Sequence, residues 1–566
     1  MADIFDTYRP AQAWDEMFAA PGVPRTPYLA VFAALQRLGA NDLRYRADQV
    51  ARLFTDRGVT FAFAGGEQPF PLDQIPRVLA AREWDEITRG VAQRVRALEA
   101  FLADVYERGR VLADGVVPRA LVTTSPHFHR AAAGIEPPGG VRVHVSGIDL
   151  VRDEEGRFRV LEDNVRIPSG VSYVIENRRA GTRLFPGIFA EHRVRAVDAY
   201  PAKLLAALRA TAPSGVADPT AVVLTPGRYN AAYFEHTLLA RLMGIPLVEG
   251  RDLECHRSRV YMRTTRGRRP VHVIYRRVDD DFLDPLHFRG DSLLGTPGLL
   301  NAARAGNVTL ANAVGNGVAD DKLLYTYVPD LIRYYLAEEP VLGNVETYRL
   351  DDPERVAWVL DHVHELVLKP VDGSGGKGIV IGPHAGEATL ATLRAAVAAD
   401  PRGWIAQRPV ALSTAPTLIG DRLEPRHLDL RPFAINDGTD IWLLPGGLTR
   451  VALPEGQLVV NSSQGGGSKD TWVLAPASAP TRANGSGGTN GTEPGGGSGG
   501  GPGAASSGGP DGELGGRPGG GPASPGVRRL VAVGVGVASA HPTRDEQPSP
   551  FGEESAAGSA QQQMQQ

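Results

Sequence analysis

The chain has little cysteine and no strong excess of either charge, and both shortages narrow what it can be. Cys255 is the only cysteine in 566 residues, which excludes an intramolecular disulfide and a cysteine-based metal cluster. A chain without disulfides is expected in the cytosol. The net charge of −4 argues against a general polyanion-binding protein, so we expect no nucleic-acid partner.

Long apolar runs are also missing. The first residues are acidic and contain no apolar signal region, and the longest late apolar run, residues 530–540, is short and rich in glycine. A helix needs about 20 apolar residues to cross a bilayer. We therefore expect a cytoplasmic protein without a membrane segment.

The composition is that of a large globular protein with a low-complexity end. Hydrophobic residues make up 42% of the chain, enough for a sizeable core in two or three subdomains. Residues 485–526, in contrast, are about half glycine. Such a segment buries too little apolar surface to offset the entropy of ordering, so we predict a disordered tail over residues 475–566.

A glycine-rich loop joins two apolar runs within residues 366–381, which predicts a β-hairpin that can hold the phosphates of a nucleotide. Lys369 ends the first run and can reach a phosphate. The loop residues that we assign to phosphate are Gly373, Ser374, Gly375, Gly376, Lys377 and Gly378.

Three other nucleotide-binding motifs compete for this loop. A Walker A loop is excluded because Gly378, rather than Ser or Thr, follows Lys377. A dinucleotide fingerprint needs a helix after the loop, whereas residues 379–381 are typical of a strand. The protein-kinase loop does join two strands, but its catalytic loop and Asp-Phe-Gly partner are missing from the sequence.

A second hairpin, upstream, has the spacing of a metal site. If its strands turn at Glu155 and Gly156, Asp149 and Glu162 lie opposite each other and Asn164 shares their face. Mg²⁺ favours such hard oxygen ligands together with the phosphates of a substrate. The alternative is a surface hairpin whose acids are solvated.

These two segments, taken together, resemble the ATP-grasp family, in which a strand lysine precedes a glycine-rich loop. Three further segments resemble the family's first phosphate-contacting lysine, the strand that holds adenine, and the arginines that steady transition-state charge. They supply, in that order, Lys322, Gln407 with Val410, and Arg431 with Arg450.

The order of the segments differs from that of ordinary ATP-grasp proteins, because the Asp…Glu-x-Asn signature comes first. This order resembles the circularly permuted type 2 ATP-grasp proteins, relatives of the glutathionylspermidine synthetase group, over most of the chain to about residue 474. The resemblance implies an α/β (α+β) fold with a permuted ATP-grasp core, a pre-ATP-grasp βαβ subdomain and the Gly-rich tail.

The resemblance also implies a function, which is ATP- and Mg²⁺-dependent ligation of a carboxylate to an amine through an acyl phosphate. An ATP-dependent phosphotransferase and a non-catalytic ATP-binding scaffold are the alternatives. The expected roles are Lys322, Lys369 and loop 373–378 for phosphates, Gln407 and Val410 for adenine, Asp149, Glu162 and Asn164 for Mg²⁺, and Arg431 and Arg450 for the transferring phosphoryl group.

Residues beside these motifs are candidates for contact with small-molecule or peptide substrates. The residues just after the metal signature and those near residue 470 are expected to shape the acceptor pocket. They are Arg166, Pro168, Ser169, Ser468, Lys469 and Asp470.

Residues 220–248 are typical of a βαβ unit, which binds ligands at its strand ends. This places Tyr229, Asn230 and Glu235 near a substrate, with helix capping by Asn230 and an exposed Glu235 as the alternative. Arg276 and Arg277 either bind an acidic substrate or pair with the aspartates at 279–281.

The apolar spacing of residues 82–109 predicts one long amphipathic helix that packs on the metal hairpin. We divide the chain into an N-terminal region at 1–80, a metal-hairpin part at 81–200, a substrate subdomain at 201–315, a nucleotide-binding part at 316–474 and the tail at 475–566.

Overall fold

The computed structural model describes residues 4–63, 66–371, 378–458, 460 and 466–476. Most of the predicted tail lies outside the described residues. So do five of the six predicted loop residues, which are Gly373, Ser374, Gly375, Gly376 and Lys377.

The described residues form a mixed α/β fold. Its helices are α1 (Leu29–Leu35), α2 (Ala40–Arg57), α3 (Ala81–Glu107), α4 (Arg110–Ala113), α5 (Arg119–Thr123), α6 (Val171–Leu184), α7 (Pro186–Glu191), α8 (Tyr200–Ala210), α9 (Tyr233–Met243), α10 (Asp280–Leu283), α11 (Leu299–Arg304), α12 (Lys322–Tyr325), α13 (Val328–Leu336), α14 (Pro353–Asp361) and α15 (Glu387–Ala399).

The strands are interspersed with these helices along the chain, in several places two or more in succession. They are β1 (Phe18–Ala20), β2 (Val23–Pro24), β3 (Thr60–Phe63), β4 (Gly66–Pro69), β5 (Leu72–Leu79), β6 (Val145–Arg152), β7 (Phe158–Asn164), β8 (Ala221–Leu224), β9 (Leu247–Val248), β10 (Leu253–His256), β11 (Arg259–Thr264), β12 (Gly267–Val271), β13 (Val273–Arg276), β14 (Thr309–Ala311), β15 (Gly343–Asn344), β16 (Thr347–Arg349), β17 (Val367–Pro370), β18 (Val380–Ile381), β19 (Trp404–Gln407), β20 (Thr414–Ile419), β21 (Arg422–His427), β22 (Arg431–Asn436), β23 (Ile441–Val451) and β24 (Gly467–Val473).

One seven-stranded sheet brings distant parts of the chain together, in the order β15-β7-β6-β22-β23-β24-β5. The upstream hairpin β6-β7 therefore lies beside β22 and β23, which follow it by more than 260 residues. This neighbourhood is what the permuted order requires, because the metal hairpin must fold back beside the strands that carry the arginines.

A second sheet, of order β16-β19-β17-β18, carries the glycine-loop hairpin. Strands β17 and β18 pair antiparallel, with Val367 opposite Ile381, so the predicted strand–loop–strand arrangement is confirmed on both sides of the loop.

The predicted βαβ unit is also confirmed. Strands β8 and β9 pair in parallel on either side of α9, and they belong to a four-stranded sheet of order β14-β13-β8-β9. An arginine-rich hairpin, β11-β12, follows this unit in the chain. Its residues Arg263 and Arg268 are exposed, and both pair with Glu254.

The long helix α3 follows the predicted apolar period and packs on the metal hairpin. Trp84, Ile87 and Phe101 are fully buried, in one core cluster with residues of β6 and β7. None of the described helices combines the length and apolar character needed to span a bilayer.

Candidate active site

The metal hairpin has the predicted register. Asp149 on β6 lies directly opposite Glu162 on β7, and Gly147 lies opposite Asn164. Gly156 forms the turn with a φ of +79°, a conformation that favours glycine. The ring of Trp14 packs so closely on this turn that an added Cβ would lie 2.6 Å from it. The two carboxylates therefore lie at the same level of the paired strands, and Trp14 packs against the turn that joins these strands.

Asp149 is buried and paired with both predicted arginines. Its Oδ1 accepts from Arg431 Nε at 2.5 Å, and its Oδ2 accepts from Arg431 Nη2 and Arg450 Nη2, each at 2.7 Å. Burial alone would raise the pKa of Asp149, but the two guanidinium groups hold it below its ordinary value. Asp149 is therefore a carboxylate that stays charged.

Arg450 is held in place by a second buried carboxylate. Its Nε donates to both oxygens of Asp429 at 2.9 Å, and its Nη2 also contacts Asp429. Burial raises the pKa of Asp429 despite this pairing. Arg431 and Arg450 balance the charges of Asp149 and Asp429, so the four side chains form a neutral buried group.

A small cleft opens beside Glu162. We call it the lysine cleft, and its lining residues are Leu161, Glu162, Asp163, Asp320, Lys322, Tyr325, Lys369 and Ile405. Lys322 Nζ lies 3.4 Å from Glu162 Oε1. The cleft therefore brings together one predicted metal ligand and both predicted phosphate lysines that the structure describes.

Lys322 and Lys369 reach the cleft from different elements. The carboxylate of Asp321 caps α12 by accepting from the backbone N–H groups of Leu323 and Leu324, which sets Lys322 at the first position of that helix. Lys369 lies near the end of β17, and no described acid forms an ion pair with it. Burial, helped by Lys322, lowers the pKa of Lys369 to about 8.

Asp320 also lines the lysine cleft, although the sequence did not point to it. Its Oδ1 accepts from the backbone N–H of Val165 at 2.6 Å, and burial raises its pKa to about 7. The only sequence signal is its place two residues before Lys322, which does not separate it from the capping residue Asp321.

Gln407 lies at the end of β19, the strand between β16 and β17. The side chain is buried and donates from Nε2 to Thr347 Oγ1 at 2.8 Å. Val410 is partly buried in a small apolar cluster with Val151 and Leu412. Gln407 thus belongs to the same sheet as the hairpin of Lys369, whereas Val410 packs against Val151 of the seven-stranded sheet.

The family profile of circularly permuted ATP-grasp type 2 proteins matches residues 76–452. This chain belongs to that family. The matched region contains the metal hairpin, both cleft lysines, Gln407 and both arginines, so the ATP-grasp resemblance seen in the sequence is confirmed.

Several curated proteins resemble this ATP-grasp chain along most of its length. An uncharacterized protein of Mycobacterium tuberculosis strain H37Rv is 62% identical over 479 residues, which cover 84% of this chain and 87% of that protein. A Synechocystis protein is 49% identical over 472 residues, covering 83% and 98% of the two chains.

A third relative, from Frankia casuarinae, is 46% identical over 474 residues and is provisionally named glutamate–cysteine ligase 2-2. The match covers 83% of this chain and 54% of that protein. Among solved structures, a glutathione synthetase-like effector of Globodera pallida has a TM-score of 0.50 at 13% identity, covering 77% of this chain and 98% of the other. That likeness concerns the fold.

The loop after the metal signature is held by residues of several elements. Arg166 pairs with Asp279 at 2.9 Å and lies 3.7 Å from Asp320. The carbonyl of Pro168 accepts from Arg277, and that of Ser169 accepts from Arg431. Arg166 therefore lies near Asp320 of the lysine cleft and Ser169 near Arg431, and their contact with a substrate stays a prediction.

Glu235 is buried, so the alternative of an exposed Glu235 is wrong. Its Oε2 accepts from the N–H groups of Gly170 and Ser172, at the start of α6, and its Oε1 pairs with Arg277. Asn230 does not cap α9, whose N-cap is Ala232; its Oδ1 accepts from the N–H of Ala232 in the turn just before the helix. Tyr229 is 62% exposed.

Three predicted substrate residues lie in the interior of the ATP-grasp protein. Arg276 is fully buried and pairs with Asp280 at 2.8 Å, which favours the alternative of pairing with the aspartates. Ser468 donates to the carbonyl of Pro71, and Lys469 pairs with Asp73. These contacts hold strands together and leave no exposed polar group for a substrate.

The hairpin and the cleft offer oxygen ligands that suit Mg²⁺ bound with phosphates. Within the part of the chain that the structure describes, no cluster of three or more His, Cys, Asp or Glu is arranged as a metal site. Mg²⁺ needs no such cluster, since it commonly takes one or two carboxylates together with phosphate oxygens. Asp149, Glu162 and Asn164 fit that smaller set, although the arginines already use three of the roughly four acceptor positions on Asp149.

Proposed function

We propose that the protein is an ATP- and Mg²⁺-dependent ligase that joins a carboxylate to an amine through an acyl phosphate. The observation that carries the proposal is the lysine cleft, where Glu162, Lys322 and Lys369 meet, with Asp149 opposite Glu162 on the neighbouring strand. Two cations and a carboxylate in one cleft are suited to a nucleotide phosphate with its metal ion.

The reaction needs no protein nucleophile. A carboxylate oxygen of the acid attacks the γ-phosphorus and ADP leaves, and then the amine nitrogen attacks the acyl carbon, loses a proton and displaces inorganic phosphate. The protein has to hold the attacking oxygen in line and offset the charge that develops on the phosphoryl oxygens. Bound Mg²⁺ would offset part of the negative charge on these oxygens.

The residues divide these tasks by position. Lys322, Lys369 and loop 373–378 would hold phosphate oxygens, and Arg431 with Arg450 would stabilise the transferring group. Asp149, Glu162 and Asn164 would hold the metal ion, and Gln407 with Val410 would contact adenine.

Substrates of the amino-acid or peptide class are the ones we propose. The provisional ligase name of the Frankia relative supports this class, as does the loop of Arg166 and Ser169 at the border of the site. The proposal includes the five-part division of the chain, in which residues 201–315 form the substrate subdomain. It also includes a cytoplasmic location.

The test is Mg²⁺-dependent ADP release from the purified protein with pooled amino acids, short peptides and polyamines, followed by mass spectrometry of the products. Glu162→Gln should abolish the release. Glu154→Gln is the matched control, because Glu154 lies on the exposed turn of the same hairpin and should leave the rate unchanged.

The outcomes separate the possible functions. ADP release that needs both an acid and an amine, with a dehydrated conjugate as product, supports the ligase. A phosphorylated product formed without amine would instead show a phosphotransferase. ATP binding without release from any pool would favour a scaffold.

A further inference from the structure

Asp149 and the phosphoryl group assigned to Arg431 require the same N–H donors. In the structure, Arg431 directs Nε and Nη2 at the two oxygens of Asp149, and its remaining nitrogen, Nη1, donates to the carbonyl of Ser169. The guanidinium fork matches a carboxylate and a phosphate equally well. Each nitrogen of Arg431 thus donates to one internal acceptor, and the two donors that form the fork are both directed at Asp149.

Arg450 uses its Nε and Nη2 in a similar way. It donates to Asp149 Oδ2 at 2.7 Å while Asp429 accepts from its Nε at 2.9 Å. Asp149 and Asp429 are each about 1% exposed, so water competes poorly with these contacts. A phosphoryl oxygen that takes the N–H groups now directed at Asp149 has to displace this carboxylate.

A divalent cation meets the converse obstacle at Asp149. Three of the roughly four acceptor positions of the carboxylate are taken by guanidinium N–H groups, and two positive charges lie within 3 Å of it. A cation therefore binds Asp149 more tightly when Arg431 and Arg450 donate to another anion in place of Asp149.

We propose that Asp149 is an internal competitor of phosphate for Arg431 and Arg450, so that the binding of a divalent cation and of a nucleoside triphosphate are tightly coupled. The cation draws Asp149 away from the arginines, and the triphosphate draws the arginines away from Asp149. This inference rests on the proposed ATP site and adds the reason why neither ligand should bind well alone. By linkage, each ligand raises the affinity of the other by the same factor.

The test measures ATP binding by calorimetry in EDTA, without metal, for the wild type and Asp149→Asn. If Asp149 serves only as a metal ligand, the variant binds metal-free ATP no better than the wild type. Competition predicts that the variant binds it at least about tenfold more tightly, and that added Mg²⁺ then strengthens binding far less than in the wild type.

The control is Asp149→Asn made in the Arg431→Gln variant, in which the guanidinium that Asp149 holds is already absent. Competition predicts that the gain from Asp149→Asn shrinks in this background, because fewer N–H groups are freed for phosphate. Equal gains in both backgrounds would mean a general charge effect and would overturn the proposal.

A reciprocal experiment covers the case in which Asp149→Asn fails to fold. Arg431→Gln frees Oδ1 of Asp149, so Mn²⁺ without nucleotide should bind this variant more tightly than the wild type, as measured by electron paramagnetic resonance. Unchanged Mn²⁺ affinity would overturn the proposal. If the wild type fails to bind ATP even with Mg²⁺, the proposed function fails instead, which is a different result from ATP binding without the predicted coupling.

Discussion

Lys369 should make nucleotide binding fall steeply as the pH rises above neutrality. Its ammonium lies in the lysine cleft, where burial and Lys322 lower its pKa to about 8 although Glu162 and Asp149 oppose the shift. Below this pKa the side chain is charged and attracts phosphate, and above it the attraction is lost. The affinity for ATP is therefore highest below pH 8 and declines above it.

The size of the effect follows from the fraction of protonated lysine. If only the protonated form binds well, the apparent Kd of ATP rises about eightfold between pH 7.5 and pH 9 for a pKa of about 8. A lysine with an ordinary pKa near 10.4 would change the Kd by only about 4% over the same interval. The two cases differ enough for a simple binding titration.

Isothermal titration of MgATP at constant ionic strength, starting at pH 7.5 where the triphosphate is already ionised, measures this dependence. Lys369→Arg is the control, because a guanidinium group stays charged throughout the range and should flatten the profile. A flat profile in the wild type would refute the reasoning. An equally steep profile in the Arg variant would assign the titration to another group.

Two further predictions concern the support of the metal hairpin. Arg94→Met leaves the buried carboxylate of Asp163 without the guanidinium that now binds both of its oxygens at 2.5 and 2.7 Å, so it should lower the free energy of unfolding by about 3–5 kcal/mol in urea titrations. Gly156→Ala forces a Cβ against the ring of Trp14 at a φ of +79°, and should cost more than the roughly 1 kcal/mol of backbone strain alone.

Each of these two variants has a matched control substitution in a similar element. Arg96→Met, on α3 like Arg94, breaks an exposed pair with Glu338 and should cost no more than about 1 kcal/mol. Gly420 has a φ of +62°, and an added Cβ would meet open space. Gly420→Ala therefore measures the backbone strain alone, without a contact such as that with Trp14. If each pair of variants lost the same stability, burial of the carboxylate and packing of the ring would not be the causes.

The parts of the fold that follow from local periodicity could be predicted. The alternation of residues 145–164 about a glycine turn was enough to set Asp149 opposite Glu162, because side chains on a strand repeat every two residues. The same reasoning found α3 from its apolar period and the parallel pair β8-β9 from its strand–helix–strand pattern. The domain bounds and the roles of the site residues stay predictions.

Buried charges could not be predicted in the same way. Lys469 and Arg276 belong to a class that is rarely buried, so a sequence pattern places them at the surface or at a site. Both instead lie in the interior, where Asp73 and Asp280 neutralise them. These partners are 396 and 4 residues away, so sequence separation gives no general guide to such pairs.

Strand order explains why the two hairpin carboxylates have different partners although they lie opposite each other. In the seven-stranded sheet, β6 is the neighbour of β22, whereas β7 is one strand farther away. Neighbouring strands are about 5 Å apart, so Asp149 on β6 is within reach of Arg431, and Glu162 on β7 is directed to Lys322 in the cleft. The proposed competition between Asp149 and phosphate for the arginines thus follows from the position of Asp149 on β6. An acid on β7, such as Glu162, is instead placed to compete with phosphate for Lys322.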